Sequence, residues 1–204
     1  MKLDNLTQHE NPFQHWEFNN CLDDQSLEEI SYSKIPDGFR AYDGTRAADH
    51  TGEGLDGKLR LFVTKENSKY FPNLTKVINK LQSKSFSEKI SNLLNKDLSK
   101  SYVRLEIIGD KKGFWLKPHK DIEEKLMTMM VWTNPYNESE NLGTDLYNKD
   151  FQIIKTVKYK HNHGYFFSSG QDTWHGLETK EIKQERRCIQ INYVSFETDW
   201  PVLK

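Results

Sequence analysis

Cysteine is scarce in this chain: there are two among 204 residues, Cys21 and Cys188. They are too few and too far apart to form a disulfide framework or a structural zinc site. A reducing cytoplasm is the simplest setting for such a pair. Long apolar runs are missing too, and nothing approaches the ~18 residues a membrane-spanning helix needs. The first eleven residues are polar and mixed in charge, with no apolar h-region, so no secretory signal is expected. Charge of one sign is not in excess either. Twenty-nine Lys and Arg stand against thirty Asp and Glu, a net of -1. That balance gives no global field toward nucleic acid or an acidic membrane. Internal repeats and low-complexity tracts are also absent, and nothing in the sequence specifies an oligomer.

What is present is aromatic and charged. Aromatics make up 12% and charged residues 29%, which suits a folded core under a very polar surface. The length fits one compact domain, with residues 1–100 as an N-terminal arm, helices and loop that support a core in 101–204. Residues 1–11 read as a polar arm, and Phe13 to Phe18 as a short entry strand. Leu22 to Ile30 reads as a helix whose acidic first turn suits the helix dipole. Residues 36–57 have no period and read as a long loop. Leu59 to Thr64 is a short β-rich run. Leu74, Val77, Ile78 and Leu81 then recur at helical spacing, as do Phe86, Ile90, Leu93 and Leu94, with Ser85 and Ser87 where an N-cap is wanted. From Tyr102 onward the character changes. Tyr102 to Ile108, Leu126 to Thr133, Phe151 to Val157, Tyr165 to Ser168 and Cys188 to Val194 are short strand-like runs separated by Gly, Asn, Asp and Pro. The expected fold is mainly β with flanking α-helices, around a double-stranded β-helix or jelly roll.

Two stretches carry chemistry. One is Trp115-Leu116-Lys117-Pro118-His119-Lys120-Asp121, and the other is Asp172-Thr173-Trp174-His175-Gly176. Residues i and i+2 of extended backbone face the same way, so His119 and Asp121 point into one cavity. Gly113 and Pro118 break helix around the pair. With His175 they make two imidazoles and one carboxylate, the facial set that leaves three positions open on an octahedral Fe(II). A satisfied core histidine is the competing reading for His175. The last strand bears on this choice. Ile189, Ile191 and Tyr193 form an apolar face, while Arg186, Cys188, Gln190 and Asn192 form a polar one. A polar interior is costly unless it lines a ligand cavity. An arginine at such a mouth suits a dicarboxylic cosubstrate, because guanidinium grips carboxylate in a two-point fork.

These residues resemble the Fe(II)/2-oxoglutarate-dependent oxygenases, within them the prolyl 4-hydroxylase-like group, over about residues 101–195. Gly113 to Asp121 is similar to that group's first ligand motif. Gly143-Thr144-Asp145-Leu146-Tyr147 is similar to its Gly-Gly-x-Leu strand, with Thr144 replacing the second glycine. Trp174-His175-Gly176 followed by Arg186 is similar to its distal ligand and cosubstrate anchor. The resemblance implies that His119, Asp121 and His175 bind Fe(II), that Arg186 holds the far carboxylate of 2-oxoglutarate, and that O2 is the oxidant. A small molecule or peptide side chain would then be hydroxylated, with succinate and CO2 as coproducts. Asp121 fills the carboxylate position that related halogenases give to a small residue, so hydroxylation is expected rather than chlorination.

Other residues are placed less sharply. Thr128, Met130 and Trp132 share a strand face and are expected to wall the cosubstrate pocket, with plain core packing as the alternative for the last two. Arg104, mid-strand, either pairs with an acid or meets substrate. Trp115 and Asn192 are further candidates for substrate contact. Asp37 to Gly57 and Asn134 to Leu142 are expected to form the lid. His161 and His163 read as solvated turn histidines, and Lys111, Lys112, Lys155, Lys158 and Lys160 as solvated faces. Two other functions remain open: a non-catalytic, cupin-like binding protein, and an oxygenase acting on nucleobases. The second has little support, since no basic patch with interleaved aromatics is seen.

Overall fold

The computed structural model describes residues 1–35 and 58–203. The loop 36–57, and the lid expected from Asp37 to Gly57, lie outside the described residues. Two antiparallel sheets face each other. The larger has eight strands: β1 (Thr7–His9), β2 (His15–Asn19), β3 (Lys58–Phe62), β4 (Tyr102–Lys111), β6 (Lys125–Thr133), β9 (His163–Phe167), β11 (Glu185–Val194) and β12 (Trp200–Pro201). Its order is β1-β2-β9-β6-β11-β4, and β3 and β12 share the outer edge of β4. The smaller sheet has four strands in the order β5-β10-β7-β8: β5 (Leu116–His119), β7 (Thr144–Tyr147), β8 (Ile153–Val157) and β10 (His175–Leu177). This is the expected β-rich jelly roll with helices outside it.

The alternation of each central strand divides two cores. Met127, Met129 and Val131 of β6, with Ile189, Ile191 and Tyr193 of β11, face three helices. These are α1 (Asp24–Tyr32), α2 (Pro72–Gln82) and α3 (Lys84–Leu94). The opposite faces meet the small sheet, where Trp132, Tyr165 and Phe167 pack on Leu146, Val157 and Leu177. Glycine is needed at position 143, where a Cβ would fall 1.5 Å from the Val157 carbonyl oxygen.

Capping decides where the helices begin. Asp23 accepts from the Ser26 N–H at 2.8 Å, which starts α1 one residue into the acidic run. The first turn of α2 is held from outside: Glu29 of α1 accepts from the backbone N–H of Asn73 and Leu74 at 3.0 and 2.8 Å. Ser85 and Ser87 do not cap α3. They lie within the helix, and the N-cap is Ser83, whose hydroxyl donates backward to the Lys80 carbonyl.

Four further expectations are corrected. Residues 1–11 are no free arm, because β1 pairs with β2 and Leu3 is buried in the helical core. The strand expected from Phe151 starts at Ile153. Phe151 takes a positive φ of 59° in a turn built on the Asn148 side chain, which accepts from the N–H groups of Asp150 and Gln152. His163 is buried in β9, not solvated, and Lys155 pairs with Glu17. His161 is exposed. Among the described residues no helix is long and apolar enough to cross a membrane.

Ile78 is fully buried in α2 against the large sheet. Ile78→Ala is expected to lower unfolding stability by about 2–5 kcal/mol. Denaturant midpoints with an unchanged slope would show it, and a loss below 1 kcal/mol would mean that the helical layer contributes little.

Candidate metal centre

His119 ends β5 and His175 opens β10, and the two are directly paired across the small sheet. Asp121 follows two residues after His119. The ligating atoms of all three lie within 4.8 Å of one another, and His175 Nε2 is 3.9 Å from Asp121 Oδ2. Both imidazoles are oriented in the same way. His119 Nδ1 meets the carbonyl of Lys117 at 3.1 Å, and His175 Nδ1 meets that of Thr173 at 2.9 Å. A carbonyl only accepts, so each ring donates Nδ1–H, and Nε2 is the nitrogen left to face the cavity. Burial, helped by neighbouring His175, pushes the His119 imidazole down to about 3, which keeps the ring neutral.

Asp121 is held at both oxygens. Lys125 pairs with Oδ1, and the Thr128 hydroxyl donates to Oδ2 at 2.6 Å. Burial alone would raise its pKa. The charge of Lys125, with His175 and the Thr128 bond, wins and holds the carboxyl below the usual carboxylate range. Two imidazole nitrogens and an ionised oxygen are the donor set that Fe(II) takes in a facial triad.

The three residues line a cavity of about 620 Å³. Thr128, Met130, Arg104 and Arg186 are also in its wall. Arg186 lies deep and nearly fully buried rather than at the mouth. Its guanidinium pairs with Asp110 and donates to the carbonyls of Leu142 and Gly143. Burial would lower its pKa, and Asp110 more than offsets that. Arg187 faces the other way, with Nε 2.5 Å from Glu185 and one N–H on the Ser33 carbonyl.

Several expected contacts fall elsewhere. Trp132 does not reach the cavity: it is fully buried, stacked on Tyr165 and His163, with the Arg186 guanidinium 5.9 Å from its ring. Trp115 is half-buried and outside the wall, which Phe114 and Leu116 form instead. Asn192 is fully buried and acts as a connector. Its Nδ2 donates to Thr128 Oγ1 at 2.9 Å, and its Oδ1 accepts from Arg104 at 2.9 Å. Arg104 is thus joined to Asp121 through Asn192 and Thr128. Sequence reading missed Lys125, Asp110 and Arg60. Lys125 carried a signal, standing four residues after Asp121. Asp110 and Arg60 carried none, because their roles depend on which strands become neighbours.

A facial donor set on a double-stranded β-helix is the arrangement of the non-haem Fe(II) oxygenases. Solved structures agree on the scaffold. A prolyl hydroxylase from Trichoplax adhaerens, in complex with a hypoxia inducible factor oxygen degradation domain peptide fragment, matches at 14% identity. The match covers 89% of this chain and 83% of that one, with a TM-score of 0.61. A 2OG-Fe(II) oxygenase family protein from Burkholderia pseudomallei matches at 11% identity over 69% of each chain, TM-score 0.51. A Pseudomonas putida prolyl-4-hydroxylase matches at 10% identity over 68% of this chain and 72% of that one, TM-score 0.50. The chain therefore has the fold of the 2-oxoglutarate oxygenases, in its prolyl 4-hydroxylase-like form. No protein-family model and no curated protein matches the sequence.

Thr128→Val removes the hydroxyl between Asn192 and Asp121 while keeping the side-chain shape. It is expected to weaken metal binding about 10–100-fold with the fold intact. Titration with Co²⁺, alongside circular dichroism, measures this; unchanged affinity would mean that Lys125 alone positions the carboxylate.

Proposed function

We propose that the protein is an Fe(II)- and 2-oxoglutarate-dependent dioxygenase that hydroxylates a small molecule or a peptide side chain. The observation that carries this is the convergence of His119 Nε2, His175 Nε2 and the Asp121 carboxylate on one cavity wall, with Arg186 buried in the same wall. When bound, Fe(II) with 2-oxoglutarate and O2 supplies the oxidising power, and succinate and CO2 are the coproducts. The chain's own residues do the rest. His119, Asp121 and His175 hold the ion, and their backbone and Thr128 partners fix the ring and carboxylate orientations. Arg186 offers its fork to the far carboxylate of 2-oxoglutarate, with Asp110 and two carbonyls holding the guanidinium in place. Thr128 and Met130 wall the same pocket. Its buried apolar floor excludes water around the reacting bond.

The rest of the wall suggests what enters. Lys117 and Lys120 line the cavity beyond the metal centre, while Arg60 is paired with Glu106 and the cavity's acids, Asp110 and Asp121, are paired with Arg186 and Lys125. This favours a substrate with a carboxylate or another anionic group near the oxidised carbon. The Trichoplax neighbour holds a peptide, which keeps an acidic peptide among the candidates.

Succinate release with Fe(II) and 2-oxoglutarate, screened over amino acids, acidic peptides and nucleosides with mass detection of added oxygen, tests the reading. His119→Ala, Asp121→Ala and His175→Ala should each abolish turnover. Wild-type protein that binds Fe(II) and 2-oxoglutarate but never releases succinate would indicate a binding protein, and a chlorinated product in chloride buffer would refute hydroxylation.

Arg186 and Arg187 are separated by the same assay. Arg186→Lys keeps the charge that Asp110 needs but loses the fork. The apparent KM for 2-oxoglutarate should rise by about 30-fold or more, equivalent to at least ~2 kcal/mol. Arg187→Lys should change it less than about threefold, because that side chain bonds Glu185 and Ser33 on the other face. A larger defect in Arg187→Lys would overturn the assignment.

A further inference from the structure

A second group of side chains that could hold a metal lies where the edge strand β1 and its neighbour β2 approach β8 of the small sheet. His9 is paired with His15 across the β1–β2 ladder, and Glu17 follows two residues on, so all three share one face. Their ligating atoms lie within 4.8 Å of one another. Glu17 Oε1 is 3.2 Å from His9 Nε2 and 3.8 Å from His15 Nε2. Tetrahedral Zn²⁺, with bonds of about 2.0–2.1 Å, sets its ligand atoms roughly 3.3 Å apart.

His15 is oriented as the two histidines of the first centre are. Its Nδ1 donates to the carbonyl two residues back, Phe13, at 2.8 Å, so the lone pair sits on Nε2. The residue is fully buried, and Nε2 has no hydrogen-bond partner. A buried imidazole nitrogen left without a partner is a cost that a metal would remove. Glu17 is steadied from behind: its other oxygen, Oε2, accepts from His163 Nε2 at 3.1 Å, and His163 Nδ1 lies 2.8 Å from the Asn19 side chain. Lys155 pairs with Oε1, the oxygen a metal would take, and is about a quarter exposed.

We propose that His9, His15 and Glu17 form a second metal site, for a divalent ion of the Zn²⁺ class, with His163 orienting the carboxylate and Lys155 as the displaceable cation of the metal-free form. Three protein donors leave a fourth position for water, and His9, the least buried ligand, opens it to solvent. The site is separate from the first centre, although near it. From His175 the path runs through Phe167 and Phe13 to His15, with ring centroids 5.0, 5.3 and 5.8 Å apart.

The test is metal stoichiometry. Protein is dialysed against Zn²⁺, desalted, and assayed for metal by mass spectrometry. The wild type should carry two equivalents, the His119→Ala/Asp121→Ala variant one, His15→Gln one, and the combined variant none. Co²⁺ in the His119→Ala/Asp121→Ala background should give the intense visible bands of a four-coordinate ion. Lys155→Met should bind that single Zn²⁺ about tenfold more tightly, since no ammonium competes. If His15→Gln does not fold by circular dichroism, His9→Ala on the edge strand carries the same expectation. A wild type with one equivalent or fewer, no metal in the His119→Ala/Asp121→Ala variant, or Zn²⁺ affinity unchanged in Lys155→Met would each overturn the proposal.

Discussion

Strand β11 is hydrogen-bonded along both flanks, and that pairing fixes the direction of every side chain on it. Its register with β4 runs unbroken from Glu185–Lys111 to Val194–Tyr102. A slip of one residue would send Arg186 and Gln190 into the helical layer and put Ile189 and Ile191 in the cavity. The apolar set anchors the strand against α1–α3, and Tyr193 adds a hydrogen bond to the Leu81 carbonyl at 2.6 Å. The cavity's chemistry thus depends on hydrophobic packing on the face that never sees a ligand. The same division continues across β4 and β6, where Arg104 and Thr128 point inward while Leu105 and Met129 point outward.

Much of this was legible because periodicity is a local property. The apolar spacing from Leu74 to Leu81 located α2 to within two residues at either end, and the alternation of Cys188 to Tyr193 matched both facing and polarity. The His-x-Asp pair and the distal histidine were legible because extended backbone puts i and i+2 together whatever the topology. What could not be read was anything requiring knowledge of neighbouring strands. Asp110 meets Arg186 only because β4 lies beside β11, and Trp132 is held from the cavity by Tyr165 of β9. Thr128 and Met130 line the pocket while Trp132, of the same parity, does not, because its ring is stacked on Tyr165 and His163. His163 looked like a turn residue because Asn162, in the left-handed region at φ 53°, ends the turn immediately before it. The N-terminal segment misled through composition: only Leu3 is fully in the core, Met1 and Leu6 pack against it partly buried, and Lys89 donates to the Leu3 carbonyl.

Charges in the cavity are arranged so that few are left bare. Arg186 with Asp110, Lys125 with Asp121, and Arg60 with Glu106 are all cross-linked pairs. Buried pairs of this kind add little net stability but are costly to break from one side. They fix geometry, and they leave the potential of the pocket to Lys117 and Lys120. Three histidines, His15, His119 and His175, use one device, an Nδ1–H bond to the carbonyl two residues back. It needs only extended backbone, so a β scaffold can orient an imidazole without committing a second side chain.

The outer edge of β4 has a different consequence. It is sealed in two pieces, β3 opposite residues 106–110 and the short β12 opposite Tyr102 and Val103. The second piece is held by the Trp200 indole on the Val63 carbonyl, the Val202 N–H on Ser101, and the Leu203 N–H on Gln82. A nick that released the chain after Thr198 would uncover one end of β4, a strand of ten residues. Such an edge recruits other strands, so the final residues of the fold also guard it against self-association.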